Sequence, residues 1–403
     1  MAKRVIIIGQ GFTGRLSIAR SVAEIGCDVT LIAFVSFKRD GKTLNTSKPI
    51  DGYSRYVSKI FYCKGGDEDG LINILLDECT DNQQKPLIIP DNDFSAAAID
   101  NHLIELEKHF LLPHIQHKQG AITAWMNKVR QKELAIRLGM NVANYKLINI
   151  INGKYTFNEE IEYPCFAKPL MSMNGGKSGL KRCDNEYGLR KHLDFMSDRQ
   201  NVQVMVEEFK NIEKEYAILG FSDGKEVIIP GILEILTLAH GSHFGVAIQG
   251  RVSPLLGFED LIGKFQKYIQ SIGFIGIFDI DFYKSDGKIY FGELNLRFGG
   301  SGYAYTKMGV NLPAMFVKYM YGESIQQMQK TIQTCATYLN ERMLIDEWYL
   351  DYISKEEYNK LLNTSDIRFL ENIDDPKPSM RYQKTVLLRR IKKKIKNCLR
   401  INS

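Results

Sequence analysis

Hydrophobic and polar positions fall along this chain in short blocks whose period keeps changing. Val5-Ile6-Ile7-Ile8 is a continuous apolar run stopped by Gly9, the pattern of a strand buried on both faces. A helical stretch follows to about Ile25, Gly26-Cys27-Asp28 turns the chain, and residues 29–34 predict a second strand. Further strands are predicted at 56–63 and 86–90, with helices over 71–79 and 96–110. Strands alternating with helices imply a small parallel sheet over about the first 115 residues.

The pattern then shifts. Residues 121–138 read as one helix ended by Gly139. Strand, loop and strand follow, through Lys168-Pro169 and Asn174-Gly175-Gly176-Lys177-Ser178-Gly179. Strands are predicted at 202–209, 216–221, 227–238 and 246–252, and a helix at 261–272. Residues 274–282 and 288–291 form a hairpin around the turn Ser285-Asp286-Gly287. The pattern is helical after Gly302 to Tyr321, and mixed over 324–382.

Composition narrows the class. At 403 residues, with 44% hydrophobic and 25% charged, the chain predicts a globular protein of two or three domains. The N-terminus lacks a signal-peptide pattern and no apolar run reaches membrane-spanning length. Seven cysteines without CxxC pairing predict free thiols in a reducing cytoplasm. His114 and His117 sit close together without Cys or acid partners, which gives a metal site there little support. Net charge is +6, but residues 384–403 hold eight Lys/Arg and no acid; without them the body carries −2. A near-neutral body argues against nucleic acid as a partner.

Candidate chemistry gathers in four places. Gly9-x-Gly11-x-x-Gly14 fits a dinucleotide turn, but residues 33–36 (Ala-Phe-Val-Ser) offer no acid for ribose hydroxyls, so tight strand–helix packing is the better reading. Asp91 and Asp93 end a parallel strand, where such sheets bind ligands, and fit a helix N-cap equally well. The 174–179 loop, with lysines on both sides, fits either a phosphate cover or a plain hairpin turn, and it is not a P-loop. Finally, Asp281 and the period-2 set Glu293, Asn295 and Arg297 put two carboxylates, an amide oxygen and a guanidinium on one face. Oxygen-only ligands of this kind suit Mg²⁺, and the arginine fork suits phosphate or carboxylate. Alone, that set also describes an ordinary hairpin with a solvated acidic face.

Taken in order, Asn127-Lys128, Lys168, the glycine loop, the Glu207-Glu208 strand end and Asp281…Glu293-x-Asn295-x-Arg297 resemble the ATP-grasp superfamily over roughly 1–325. Their spacing is similar to that of D-alanine–D-alanine ligase, biotin carboxylase and carbamoyl-phosphate synthase. The resemblance implies a mixed α/β and α+β fold: a parallel-sheet domain (1–115), a small lid subdomain with the glycine loop (116–205), a catalytic subdomain on a large antiparallel sheet (206–325), and a C-terminal extension (326–403). It implies ATP with Mg²⁺, or Mn²⁺ in its place. By resemblance, Lys128 and Lys168 contact phosphates, and Gly175, Gly176, Ser178 and Gly179 close over them. Glu207 lies at the hinge that receives adenine, and the backbone of Glu208, Phe209 and Lys210 meets the ring edge. Glu215, or Glu213, takes the ribose. Asp281, Glu293 and Asn295 hold the metal, while Arg297 and Lys168 serve catalysis. His240, His243, Arg251 and Ser301 flank the presumed acceptor pocket, where each singly reads better as structural.

The implied activity is ATP-dependent joining of a small-molecule carboxylate to an amine through an acyl phosphate. Leu87-Ile-Ile-Pro-Asp91, Glu293–Gly300 and Gly309-Val-Asn-Leu-Pro look like the carbamoyl-phosphate-synthase-like branch, which includes D-aspartate ligases of peptidoglycan assembly. Rival expectations are an ATP-binding protein without ligase activity and a NAD(P)-dependent enzyme. The basic tail puts apolar residues at helical spacing, which fits a helix on the inner membrane face and a solvated helix equally. A homo-oligomer is compatible with all of this.

Overall fold

The computed structural model describes residues 2–38, 43–156, 160–171, 179–197, 202–240 and 245–401. The N-terminal apolar run becomes β1 (Arg4–Gly9), buried from Val5 onward. It pairs in parallel with β2 (Asp28–Val35), and β3 (Val57–Lys64) and β4 (Leu87–Pro90) complete a sheet in the order β3-β2-β1-β4. Helices α1 (Phe12–Ala23), α2 (Glu68–Glu78), α3 (Asp93–Asn101) and α4 (Leu103–Leu106) accompany it. The helix predicted over 96–110 is therefore two pieces, beginning earlier and broken at His102. Its N-cap is Asn92, whose Oδ1 accepts from Ser95 N–H at 3.0 Å. That corrects the capping alternative for Asp91 and Asp93.

Next come β5 (His114–Ile115), α5 (Ala121–Trp125) and α6 (Lys128–Arg137). One predicted helix is again two, because Asn127 leaves helical geometry and caps α6, accepting from the N–H groups of Val129 and Arg130. The break sets Lys128 in the first turn of α6.

A second sheet, antiparallel in the order β6-β9-β7-β8, is built from β6 (Tyr145–Ile150), β7 (Cys165–Pro169), β8 (Lys181–Cys183) and β9 (Val202–Glu208). Helix α7 (Glu186–Ser197) covers one face through Leu189, Leu193, Cys165, Ala167, Val204 and Val206. Strand alternation turns Lys168, Met205 and Glu207 to the other face.

The largest sheet holds β10 (Lys214–Asp223), β11 (Val227–Ile228), β12 (Ile232–Leu238), β13 (Ala247–Ser253), β14 (Phe274–Ser285) and β15 (Lys288–Asn295). The strand predicted over 227–238 is interrupted at Pro230-Gly231, since proline removes a ladder donor. Helix α8 (Glu259–Ile272) packs Phe265 and Ile269 against Tyr216, Phe278 and Phe282 on one face. On the other, α9 (Tyr303–Lys307), α10 (Leu312–Met320) and α1 bury Leu219, Phe221 and Leu233 with Tyr305 and Phe316. Each such fully buried large side chain contributes about 1.5–3 kcal/mol of transfer free energy.

The stretch that was mixed in sequence joins the same sheet. β16 (Ala336–Leu339) pairs with β13, and β17 (Ile367–Arg368) pairs with β16. Between them lie α11 (Glu341–Tyr349) and α12 (Lys355–Asn363), and α13 (Lys377–Ile401) ends the chain. The order is β15-β14-β10-β12-β13-β16-β17, with β11 on β10 and β5 on β14. No helix of the described residues is long and apolar enough to cross a membrane.

Candidate active site

The hairpin β14–β15 turns through Asp286 (φ 49°) and Gly287 (φ 70°), the two positive φ values of a tight primed turn. Its register pairs Asp279 with Asn295 and Asp281 with Glu293, then slips so that Phe282 meets Phe291. Gly292 is the extra residue. A Cβ there would stand 2.8 Å from the Asp281 carbonyl oxygen, so this bulge requires glycine. The slip has a chemical consequence. Phe291 joins Phe282 in the apolar core, while Tyr290 stacks on Tyr283 at 5.5 Å on the face that carries Asp281 and Glu293. Neighbouring β10 adds Glu215, registered against Tyr283, to that face. Glu213 instead accepts from Gly287 N–H at the turn and pairs with Lys284.

Negative charge is unbalanced there. Asp281 opens to solvent on one side yet is otherwise enclosed, and burial, Asp279 and Glu293 push its carboxyl well above the usual carboxylate range. Asn295 Nδ2 donates to Asp281 at 3.5 Å. Burial, then Asp93 and Glu293, raise Asp279 to about 6 against the pull of Arg297. Arg297 donates from Nε to Asp93 at 3.0 Å and from Nη1 to Asp279 at 3.5 Å, so a residue of α3 in the first domain fixes a guanidinium of the large sheet. Burial opposes its charge, but Asp93, Asp279 and Asp281 raise its pKa.

Behind it, Asp91 fills the space under the first glycine turn. A Cβ on Gly9 would fall 1.4 Å from Asp91 Oδ1, and one on Gly14 3.0 Å from Oδ2. The glycines thus seat a carboxylate of this chain. Burial pushes Asp91 up to about 7 against Arg15 and Arg297. Arg15 donates to the Gly9 carbonyl and pairs with buried Asp51 at 2.6 Å.

Cations face this floor from α6 and the second sheet. Lys128 Nζ reaches Glu293 at 2.7 Å. Gln131 bonds both the N–H and the carbonyl of Leu294, tying α6 to β15. Glu207 joins Lys132 and Lys168, each at 2.9 Å. Burial alone would raise Glu207, yet Lys168 and Lys132 hold it below the usual range. Burial lowers the pKa of Lys132, which also senses Glu293, so both sides of the cleft lie within electrostatic reach. At the hinge, Glu208 N–H donates to Asn144 O and Phe209 N–H to Pro164 O. Those two amides are committed within the chain. Lys210 pairs with Glu208 at 3.0 Å and lies 4.9 Å over the Tyr290 ring.

The structure therefore brings Lys128, Lys168, Glu207, Glu215, Asp281, Glu293, Asn295 and Arg297 around one cleft. Gly175, Gly176 and Ser178 lie outside the described residues, as does His243; Gly179 abuts Pro169, 2.6 Å from its would-be Cβ. Arg251 pairs with Glu234 on the opposite face of the sheet, and His240 donates its N–H to buried Glu347. Sequence reasoning passed over Lys132, four residues after Lys128 on one helix face, and Asp279, two before Asp281 on one strand face; the periods alone mark both. Among the described residues, no group of three or more His, Cys, Asp or Glu has metal-site geometry. The oxygen set is two carboxylates and an amide.

A parallel four-stranded sheet, a small antiparallel sheet and a large antiparallel one, in that order along the chain, match the ATP-grasp fold. Residues 133–313 of this chain match the family model described as the ATP-grasp domain. Its relatives include the carbamoyl phosphate synthase large chain of Gemmatimonas aurantiaca, 20% identical over 55% of this chain and 20% of that protein. The formate-dependent phosphoribosylglycinamide formyltransferase of Bacillus velezensis is 26% identical over 55% of this chain and 56% of that protein. The chain thus spans between a fifth and little over half the length of these relatives. In fold, it is similar to N5-carboxyaminoimidazole synthetase from Staphylococcus aureus complexed with ADP: TM-score 0.62, 19% identity, 89% of this chain and 87% of that one.

Proposed function

We propose that this protein is an ATP-dependent carboxylate–amine ligase that works through an acyl phosphate. The observation that carries the proposal is the opposition of Lys128, Lys132 and Lys168 to Asp281, Glu293 and Asn295 across one cleft, with Arg297 fixed beside them. Tyr283 and Tyr290 offer an aromatic surface near the hinge, and Glu215 stands next to them for ribose hydroxyls.

The raised carboxyl of Asp281 marks uncompensated negative charge, which fits a hard divalent cation, Mg²⁺ or Mn²⁺, held by Asp281, Glu293 and Asn295. Bound there, the ion supplies charge neutralisation for nucleotide phosphates. Lys128 and Lys168 draw the phosphate oxygens to the floor, and Arg297, oriented by Asp93, steadies the transferred phosphoryl group as a substrate carboxylate approaches. One carboxylate oxygen bonds to the γ-phosphorus and ADP leaves. The amine then attacks the acyl carbon and phosphate leaves, forming the amide.

The test is ADP release by the full chain with ATP, Mg²⁺ and a panel of amino acids and other small acids paired with amines. Release that requires both acid and amine is the expected result; release indifferent to acid contradicts the reading.

We also propose that α13 rests on an anionic membrane surface. Tyr382 and Val386 dock its first turns in the core, whereas Leu387, Leu388, Ile391 and Ile395 are exposed beside the basic residues. Co-sedimentation with phosphatidylserine vesicles should be lost on deleting 384–403; equal recovery of both forms in the supernatant rules the contact out.

A further inference from the structure

Cys165 of β7 and Cys183 of β8 stand directly opposite one another in an antiparallel ladder, followed by Phe166 against Arg182 and Ala167 against Lys181. β8 is the edge strand of its sheet, and those three pairs are its whole ladder. Both cysteines turn to the face covered by α7, in one apolar cluster with Leu189, Leu193 and Val206, and each is 1% exposed. Residues facing each other across an antiparallel ladder have Cα atoms about 4.5–5.5 Å apart, within the roughly 4.4–6.8 Å that a disulfide spans. The register thus brings two thiols into bonding range without any shift of the backbone. Cys165 also lines a cavity of about 230 Å³, rimmed by exposed Asn144 and Glu162, which gives a small molecule a way to its sulfur.

We infer that Cys165 and Cys183 are a redox-active dithiol, a modification site at which a low-molecular-weight disulfide ties β8 to β7 through a cross-strand bond. The Cys165 thiolate attacks one sulfur of the small disulfide, forms a mixed disulfide and expels a thiolate; the Cys183 thiolate then attacks the Cys165 sulfur and expels the second. Two S–H bonds are lost and one S–S bond forms in the protein. The small disulfide is reduced to two thiols, which take up the two protons. Burial pushes both protein thiols up, Cys165 to about 12 with Cys183 adding to the shift. Thiolate is therefore scarce near neutrality, and the exchange quickens as pH rises. Lys168 and Glu207 turn to the opposite side of the same sheet, so the bond staples the edge strand without reaching the cations of the cleft.

The experiment incubates the folded full chain with oxidised glutathione at pH 7 and at pH 8, alkylates it under denaturing conditions and maps the peptides by mass spectrometry. The expected product is a linked fragment holding Cys165 and Cys183, formed about tenfold faster at the higher pH and split by dithiothreitol. C183A should stop at glutathione on Cys165, C165A should give no link, and C335A, at an exposed thiol, should link as wild type does. Melts of the reduced variants establish that each is folded. The oxidised wild type should melt at a higher temperature than the reduced form, because the bond forms within the native register. Glutathione on Cys335 only, or no reaction at Cys165 and Cys183, overturns the dithiol. A link that fails to raise the melting temperature overturns it as well, since such a bond forms only by distorting the ladder.

Discussion

Single charged side chains set the pH behaviour of this molecule. Asp91 is held near pKa 7 by burial, against about 4 in an unfolded chain. Between those values the folded protein keeps a proton that the unfolded chain has lost, so its stabilising contribution is full below about pH 4 and gone above about 7. Thermal melts at pH 5 and pH 8 should show a drop with rising pH that D91N reduces, by on the order of 2 kcal/mol; an identical drop in both forms contradicts the assignment. Glu207 has the opposite role, as the shared counter-ion of Lys132 and Lys168. E207Q should cost about 3 kcal/mol in urea unfolding and weaken ATP binding, because two buried ammonium groups lose their carboxylate. At this scale the sequence was partly legible. Asp281, Glu293, Asn295 and Arg297 were readable because strand period and turn chemistry are local. Asp93 as the partner of Arg297 was not, since the contact crosses 204 positions of chain.

Among the elements, the β14–β15 hairpin decides most. Gly292 shifts the strand by one residue, which lets Phe291 face the core while Glu293 faces Asp281. G292A should force the bulge against the Asp281 carbonyl, cost about 1–3 kcal/mol, and lower ADP release more than it lowers fluorescent ATP-analogue binding; unchanged turnover would show that the bulge does not set the metal-facing register. The hairpin was legible from Ser285-Asp286-Gly287, but the slip was not, because a bulge leaves no periodic trace over so few residues. The helix breaks at Asn127 and His102 were equally hidden, since apolar spacing continues across both. The 324–382 stretch gave no pattern because its two strands are short and complete a sheet begun elsewhere in the chain.

The whole molecule is built on three sheets, and its parts are tied across long separations. Arg20 pairs with Asp375 at 3.0 Å, and the Glu341 carboxylate accepts the N–H groups of Phe369, Leu370 and Glu371. Nucleotide with Mg²⁺ should therefore raise the melting temperature of the full chain in one step, by an amount equivalent to about 2.7 kcal/mol at 100 times Kd, and EDTA should remove most of that gain. An equal gain in EDTA would contradict the assignment of Asp281, Glu293 and Asn295. The central claim is that a carboxylate becomes an acyl phosphate in this cleft. Its most direct test is turnover of an acid carrying ¹⁸O in both carboxylate oxygens, followed by mass spectrometry of the released phosphate. The account predicts one ¹⁸O in each phosphate; phosphate free of label, with turnover intact, would contradict it.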